Sequence, residues 1–132
     1  MEKRFMNPTG VAASPAYTHA VEVSGGKTIF ISGQVALDEK GELVGRGDLR
    51  EQTRKVFENL KRALAAAGAR FEDVVKTTYY VVGYRPQHLA AIREVRSEYL
   101  SSAHPPASTL VGVEALFLEG VLIEVEAIAV VG

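Results

Sequence analysis

Between Asp48 and Gly68 the apolar residues of this chain fall on a single stripe of helical period, and on both sides of that stretch the period changes. Leu49, Thr53, Val56, Phe57, Leu60, Leu64 and Ala67 recur at three- and four-residue steps. Asp48 stands at the N-cap with Glu51 at the capping-box position, and Gly68 supplies the stop. A long helix with one apolar face needs a second layer to bury it. That layer must come from the β-like runs that flank it.

A second helix is expected to begin near Pro86, a suitable first-turn residue, and to carry Leu89, Ile92, Val95, Tyr99 and Leu100 inward. Pro105 and Pro106 forbid its continuation. The remaining apolar runs read as strands: Tyr17 to Val23, Thr28 to Leu37, Val74 to Tyr84, Ala107 to Val113 and Val121 to Val130. Val74 to Tyr84 is rich in β-branched and aromatic residues, as strands are. The order is two strands, a helix, a strand, a helix and two strands. It implies an α+β fold in which two helices cover one face of a mixed sheet. The other face then needs cover, so a homo-oligomer is a physical expectation.

With 132 residues, 47% hydrophobic and 23% charged, the chain is expected to form one domain over 1–132, with a core large enough to need neither metal nor disulfide. It contains no cysteine, which removes thiol catalysis and thiolate metal sites. His19, His88 and His104 are scattered without metal-ligand spacing, so neither a metal nor a cofactor is implied. The formal net charge is −1, and Arg50, Arg54, Lys55, Lys61 and Arg62 are interleaved with acids. Nothing here resembles a basic patch with interleaved aromatics, and nucleic acid is not the expected partner. No run reaches the length of a signal-peptide core or a membrane span, so a cytoplasmic location away from membranes is the expectation.

Several residues invite a chemical reading. Glu124 and Glu126 point to the same side of an otherwise apolar strand, where a carboxylate must be paired, hydrogen-bonded or wet. A pocket that raised its pKa would let Glu124 act as a general acid or base on water, whereas a salt bridge would make it structural. On a helical wheel Arg96 lies inside the apolar stripe of the second helix and Arg93 on its flank. Both call for an anion, either a structural partner such as Glu124 or Glu126, or a ligand. Ser32 and Gly33 suit close approach to a ligand and equally suit the end of a strand. Tyr17 fits either a core anchor or a site residue. Gly25-Gly26 reads as a hairpin turn between two strands. Ser108 and Thr109 have no histidine spaced to activate them, so covalent catalysis is not expected.

Six segments together carry a resemblance. Ser14-Pro-Ala-Tyr17, Ile31-Ser-Gly-Gln34, Asn59-Leu60, Val74-Val-Lys-Thr77, Pro106-Ala-Ser-Thr109 and Ile123-Glu-Val-Glu-Ala-Ile-Ala129 are similar in order and spacing to the YjgF/RidA family, across nearly the whole chain. That family takes in the reactive intermediate deaminases and proteins described as L-PSP endoribonucleases. The resemblance implies a chorismate-mutase-like α+β fold, a homotrimer, and three clefts between subunits that take small-molecule metabolites.

It also implies roles. In the deaminating members an arginine holds the substrate carboxylate, while a glutamate and backbone groups position the water that attacks an imine or enamine carbon. Glu124 matches that glutamate. Tyr17 and Ser32 match cleft positions, and Gly33, Ser108, Thr109 and Leu110 are candidate substrate-binding residues beside them. The arginine's own position is Ser108, and a hydroxyl cannot replace a bidentate charged fork. The expectation is an imine or enamine hydrolase with altered substrate preference, or a non-catalytic trimer that binds a small ligand in the same clefts. Arg93 or Arg96 is the candidate for the missing cation.

Overall fold

The computed structural model describes all 132 residues. Six strands and two helices follow one another as β1 (Glu2–Met6), β2 (Ala20–Ser24), β3 (Lys27–Gln34), α1 (Leu49–Ala66), β4 (Val74–Val82), α2 (His88–Arg96), β5 (Ala107–Val113) and β6 (Ile123–Val131). A single 3-10 turn at Phe71–Asp73 leads into β4. β3, β6, β4 and β5 form one sheet in that order, while β1 and β2 pair only with each other. β6 runs antiparallel to β3 and β4, and β5 runs parallel to β4, so the sheet is mixed. A parallel pair requires a crossover, and α2 lies in the connection that provides it.

α1 starts where the Asp48 side chain accepts the Glu51 amide at 3.0 Å. Its inner face packs Val56, Phe57, Leu60 and Leu64 against Ile31 of β3, Tyr79 and Val81 of β4, and Ile123, Val125, Ala127 and Ala129 of β6. Each fully buried leucine or phenylalanine in such a core contributes about 1.5–3 kcal/mol. α2 adds Ile92 and Val95 to the same cluster. Phe57, Phe71 and Tyr99 then join the helices in an aromatic group, with Phe57 and Tyr99 stacked at 5.2 Å. The Tyr99 hydroxyl donates to Glu58 of α1 at 2.7 Å. Burial, with help from that carboxylate, pushes the phenol up to about 12, so it remains a donor at any working pH.

Two polar residues of α1, Gln52 and Thr53, sit inside this apolar seam. Gln52 of α1 is fully buried; its amide nitrogen donates to Gly45 O and Gly120 O, and its oxygen accepts the Leu122 amide at 2.9 Å. Gln52 thereby ties the long helix to the chain entering β6, and so fixes the height of Glu124 two residues later.

The expected α+β architecture, with two helices on one face of a mixed sheet, is what the chain adopts. Four details differ. β1 was not anticipated, because Glu2, Lys3 and Arg4 hide a strand whose apolar content is Phe5 and Met6. β2 begins at Ala20, not Tyr17: the residues before it, His19 among them, are loop, and Thr18 is held there by donating to Pro105 O and Pro106 O. Gly25-Gly26 joins β2 to β3, but the two strands do not pair, so the link is a bend between sheets and not a ladder hairpin. Gly26 has φ 80°, and a Cβ there would lie 2.6 Å from Val131 O. α2 starts after Pro86, at His88, and ends at Arg96, one turn short of Tyr99 and Leu100, which still pack on the core from the turn that follows.

The sheet's second face has no cover within the protomer. Thr28, Phe30 and Ser32 of β3 and Thr109 and Val111 of β5 are exposed. Phe30 is 76% exposed. Between them Glu124, Glu126 and Ile128 of β6 and Lys76, Thr78 and Tyr80 of β4 are half-buried by their neighbours.

Candidate functional site

Glu124 rises from β6 on the uncovered face, opposite Tyr80 of β4 and beside the irregular end of β3. The β3–β6 register slips between Ile31 and Gln34, which lets Gly33 lie flat beneath the glutamate. A Cβ on Gly33 would overlap Glu124 Oε2 and come within 2.6 Å of its Cδ. Glycine at 33 is therefore what admits the carboxylate to this position. Partial burial raises the Glu124 pKa above the usual carboxylate range, and the neighbouring Glu126 charge adds to the rise. No hydrogen bond or cation offsets that push.

Glu126, two residues along on the same face, differs in its commitments. Its Oε1 accepts the Tyr80 hydroxyl at 2.7 Å. One carboxylate is thus held in a structural bond and the other is left free for water or a ligand. Ser32 is exposed, at the edge of a cavity of about 320 Å³ that it shares with Phe30, Lys76, Thr78 and Glu126. Thr109 also belongs to this face, where its hydroxyl accepts Lys76 Nζ at 2.7 Å.

Ser108 and Leu110 face the opposite way. Ser108 pairs with Thr77 in the β4–β5 register, and its oxygen accepts the Thr77 hydroxyl at 3.3 Å. Leu110 packs on the core. Arg93 and Arg96 also lie on the helix-covered side, where they line a cavity of about 440 Å³ with Pro15, Ala16, Leu100 and Pro105. Neither forms an ion pair within the protomer, so the structural partnership with Glu124 or Glu126 considered from the sequence does not form there. Tyr17 is half-buried in the loop ahead of β2, in edge contact with His19 at 5.1 Å, one residue from this second cavity. Within one protomer the candidate residues therefore form two groups. Glu124, Gly33, Ser32 and Thr109 stand on the open face, while Arg93, Arg96, Ser108 and Leu110 stand on the covered face with Tyr17 nearby.

The family model described as Endoribonuclease L-PSP matches residues 8–131 of this chain. The chain belongs to the YjgF/RidA family. A RutC family protein of Pyrococcus abyssi is 44% identical over 115 residues, 86% of this chain and 84% of that one. A protein of Dermatophagoides farinae named 2-iminobutanoate/2-iminopropanoate deaminase is 30% identical over 133 residues, 96% of this chain and 99% of its own. Among solved structures, a Rid family protein of Yersinia pestis described as of unknown function superposes with a TM-score of 0.92 at 44% identity, covering 99% of this chain and all of that one.

Against this YjgF/RidA background, what the sequence leaves unread is the environment of two buried groups. Thr77 and Tyr79 of β4 point beneath α2, both almost fully buried, and the Tyr79 hydroxyl has no hydrogen-bond partner. Burial raises the Tyr79 pKa, while the nearby Arg96 charge and Thr77 hydroxyl oppose the rise. Alternation along β4 puts both residues on the inner face, but only the position of α2 brings Arg96 over them. A third groove, of about 670 Å³, opens between the end of β3 and α1, with Lys55, Arg62 and Asp38 on its walls. Asn59 serves it structurally, donating to Val35 O and Leu37 O. No helix is long and apolar enough to cross a membrane.

Proposed function

We propose that the protein is a hydrolytic deaminase of small imines or enamines, working as a homotrimer whose clefts combine the open-face group of one protomer with the covered-face group of the next. The observation that carries this reading is the Glu124 carboxylate held over Gly33, partly buried, pushed up in pKa and free of any protein hydrogen bond. A carboxylate of that kind can bind a water and accept its proton. Water adds to the carbon of the protonated imine as one of its protons passes to Glu124, giving a neutral carbinolamine. Glu124 returns that proton to the nitrogen, the C–N bond breaks to release ammonia, and the hydroxyl gives up its proton to leave the carbonyl product, so one water is consumed for each ammonia released. The deaminase name of relatives at 30% and 36% identity supports the reaction class.

The uncovered sheet face supports the trimer, because a lone protomer leaves Phe30 and the Glu124 neighbourhood in solvent. Assembly also brings together residues that one chain keeps on opposite faces of its sheet. Ser108 supports a changed substrate preference. Its hydroxyl is already engaged by Thr77 and offers no charge to a carboxylate at that position. The same residue favours the second reading, a non-catalytic trimer that binds a small ligand in the same clefts.

Ammonia release from freshly generated 2-imino acids and from uncharged imines separates the two, with Glu124→Gln and Ser108→Arg measured beside the parent. Turnover of some imine by the parent and its loss in Glu124→Gln supports the deaminase. Silence of the parent on every imine, with a gain in Ser108→Arg alone, supports the binding protein.

A further inference from the structure

The charged residues on α2 and in the turn after it divide by face. Glu94 and Glu98 are taken up by Arg50 and Arg54 of α1, at 2.6 and 2.9 Å. Arg93 and Arg96 point elsewhere and find no carboxylate, and no acidic residue lines the cavity of about 440 Å³ they enter. Two guanidinium groups one helical turn apart on a concave wall, with no counter-charge, make a concentrated positive potential. Basic residues in the last turn of a helix also answer the helix dipole. That role needs neither a cavity nor the hydroxyls that line this one.

The hydroxyls can be counted as donors. Ser97 is spent, because its hydroxyl donates to Glu94 O at 2.7 Å. Ser101 only accepts, from the Ala103 amide at 3.1 Å, so its proton is free. Ser102 also lines the cavity. Its hydroxyl has no partner in the protomer. Beneath Arg96 lies the Tyr79 phenol, 1% exposed, close enough to the Arg96 guanidinium and the Thr77 hydroxyl to interact with both but without a well-formed hydrogen bond to either, which is a costly state for a buried polar group. An anion above Arg96 would hold the guanidinium in one orientation, with an N–H left to donate to the phenol oxygen.

We infer that this cavity is an anion-binding site for a small dianion, a phosphate monoester or a dicarboxylate, clamped by Arg93 and Arg96 with the hydroxyls of Ser101 and Ser102. Two fixed positive charges and no negative one match a dianion, and the cavity has room for a small metabolite carrying it. The inference names a ligand class for the proposed cleft but concerns binding alone. Within one protomer Glu124 is on the other face of the sheet, and the clamp does not include it.

The test is calorimetric titration of the intact protein with inorganic phosphate and with malonate, at constant ionic strength and with chloride as the control anion. The expected result is saturable binding of at least one of the two dianions, weakened about ten-fold or more in Arg93→Gln and in Arg96→Gln, and unchanged in Arg50→Gln. Preference for phosphate would identify the ester, and preference for malonate the dicarboxylate. Arg93 is exposed, so its variant should keep the parent's melting temperature even if the Arg96 variant does not. Failure of both dianions to saturate, equal affinity in Arg93→Gln, or equal binding of chloride would overturn the site. Loss of turnover in Glu124→Gln with phosphate binding retained would leave the deaminase reading standing separately.

Discussion

The carboxylate of Glu124 lies directly against the Cα of Gly33, across a slipped register between β6 and β3, with no room for a methyl group between them. What a side chain at 33 would meet is the far end of a flexible glutamate, which can swing away. Gly33→Ala is therefore expected to cost little stability, about 1 kcal/mol or less, while moving the carboxylate off its seat. The expected signature is a near-parental melting temperature with imine turnover reduced at least about ten-fold. A variant as active as the parent would show that the seat is not needed for turnover.

Glu124 also predicts a pH dependence. Its folded-state pKa is raised, by burial first and by Glu126 second, so the folded protein binds that proton more tightly than the unfolded chain. The stability this contributes is fully present below the ordinary carboxylate pKa and is lost as pH rises through the raised value. Above its raised pKa the ionised carboxylate is therefore a net burden, and there Glu124→Gln should melt at or above the parent. The gap should close as pH falls below the usual carboxylate range. Turnover runs the other way, since a proton acceptor must be ionised, and kcat/KM should fall on the acid side with an apparent pKa above that of a free glutamate. Melting curves and rates from pH 4 to 8 on both proteins check the two signs together.

The helix from Leu49 to Ala66 and the strand from Ala107 to Val113 were legible because period, caps and breakers agreed there. β1 was not, since its pairing with β2 depends on a long-range contact that three charged residues in five positions do not advertise. At the site, alternation along β6 put Glu124 and Glu126 on one face, but it could not say that Tyr80 would occupy one and leave the other free. The helical wheel put Arg96 inside the apolar stripe. The structure places it at the rim of a cavity over an unpartnered phenol, an arrangement fixed by how α2 crosses the sheet and not by the helix sequence. Gln52 is the plainest omission. A glutamine on an apolar stripe reads as a surface residue unless the three backbone groups that meet it are known.

Those three groups set the cost of removing it. Gln52→Leu keeps the volume but leaves Gly45 O, Gly120 O and the Leu122 amide, all half-buried, without their partner. Unsatisfied buried groups cost about 1–3 kcal/mol each before any relaxation, so a net loss of about 2–4 kcal/mol is expected. Denaturant unfolding should register it as a lower midpoint with an unchanged slope. Because Gln52 sets the start of β6, residual activity should fall even under conditions where the variant is fully folded.

Phe30 tests the assembly. It is 76% exposed on the uncovered sheet face, beside Ser32 and the cavity that reaches Glu126. An aromatic of that size left in water forgoes about 1.5–3 kcal/mol that burial against a neighbouring subunit would return. Phe30→Asp places a charge where an apolar contact between copies is proposed, and three such charges brought near one axis would repel. The parent is expected to elute and scatter light as a trimer and the variant as a smaller species, with the protomer's circular dichroism retained. Imine turnover should disappear with the trimer, because in the proposed cleft Glu124 and the covered-face group meet only across the boundary between subunits. An active monomer would contradict the shared cleft, and a trimeric Phe30→Asp variant would move the interface away from this face.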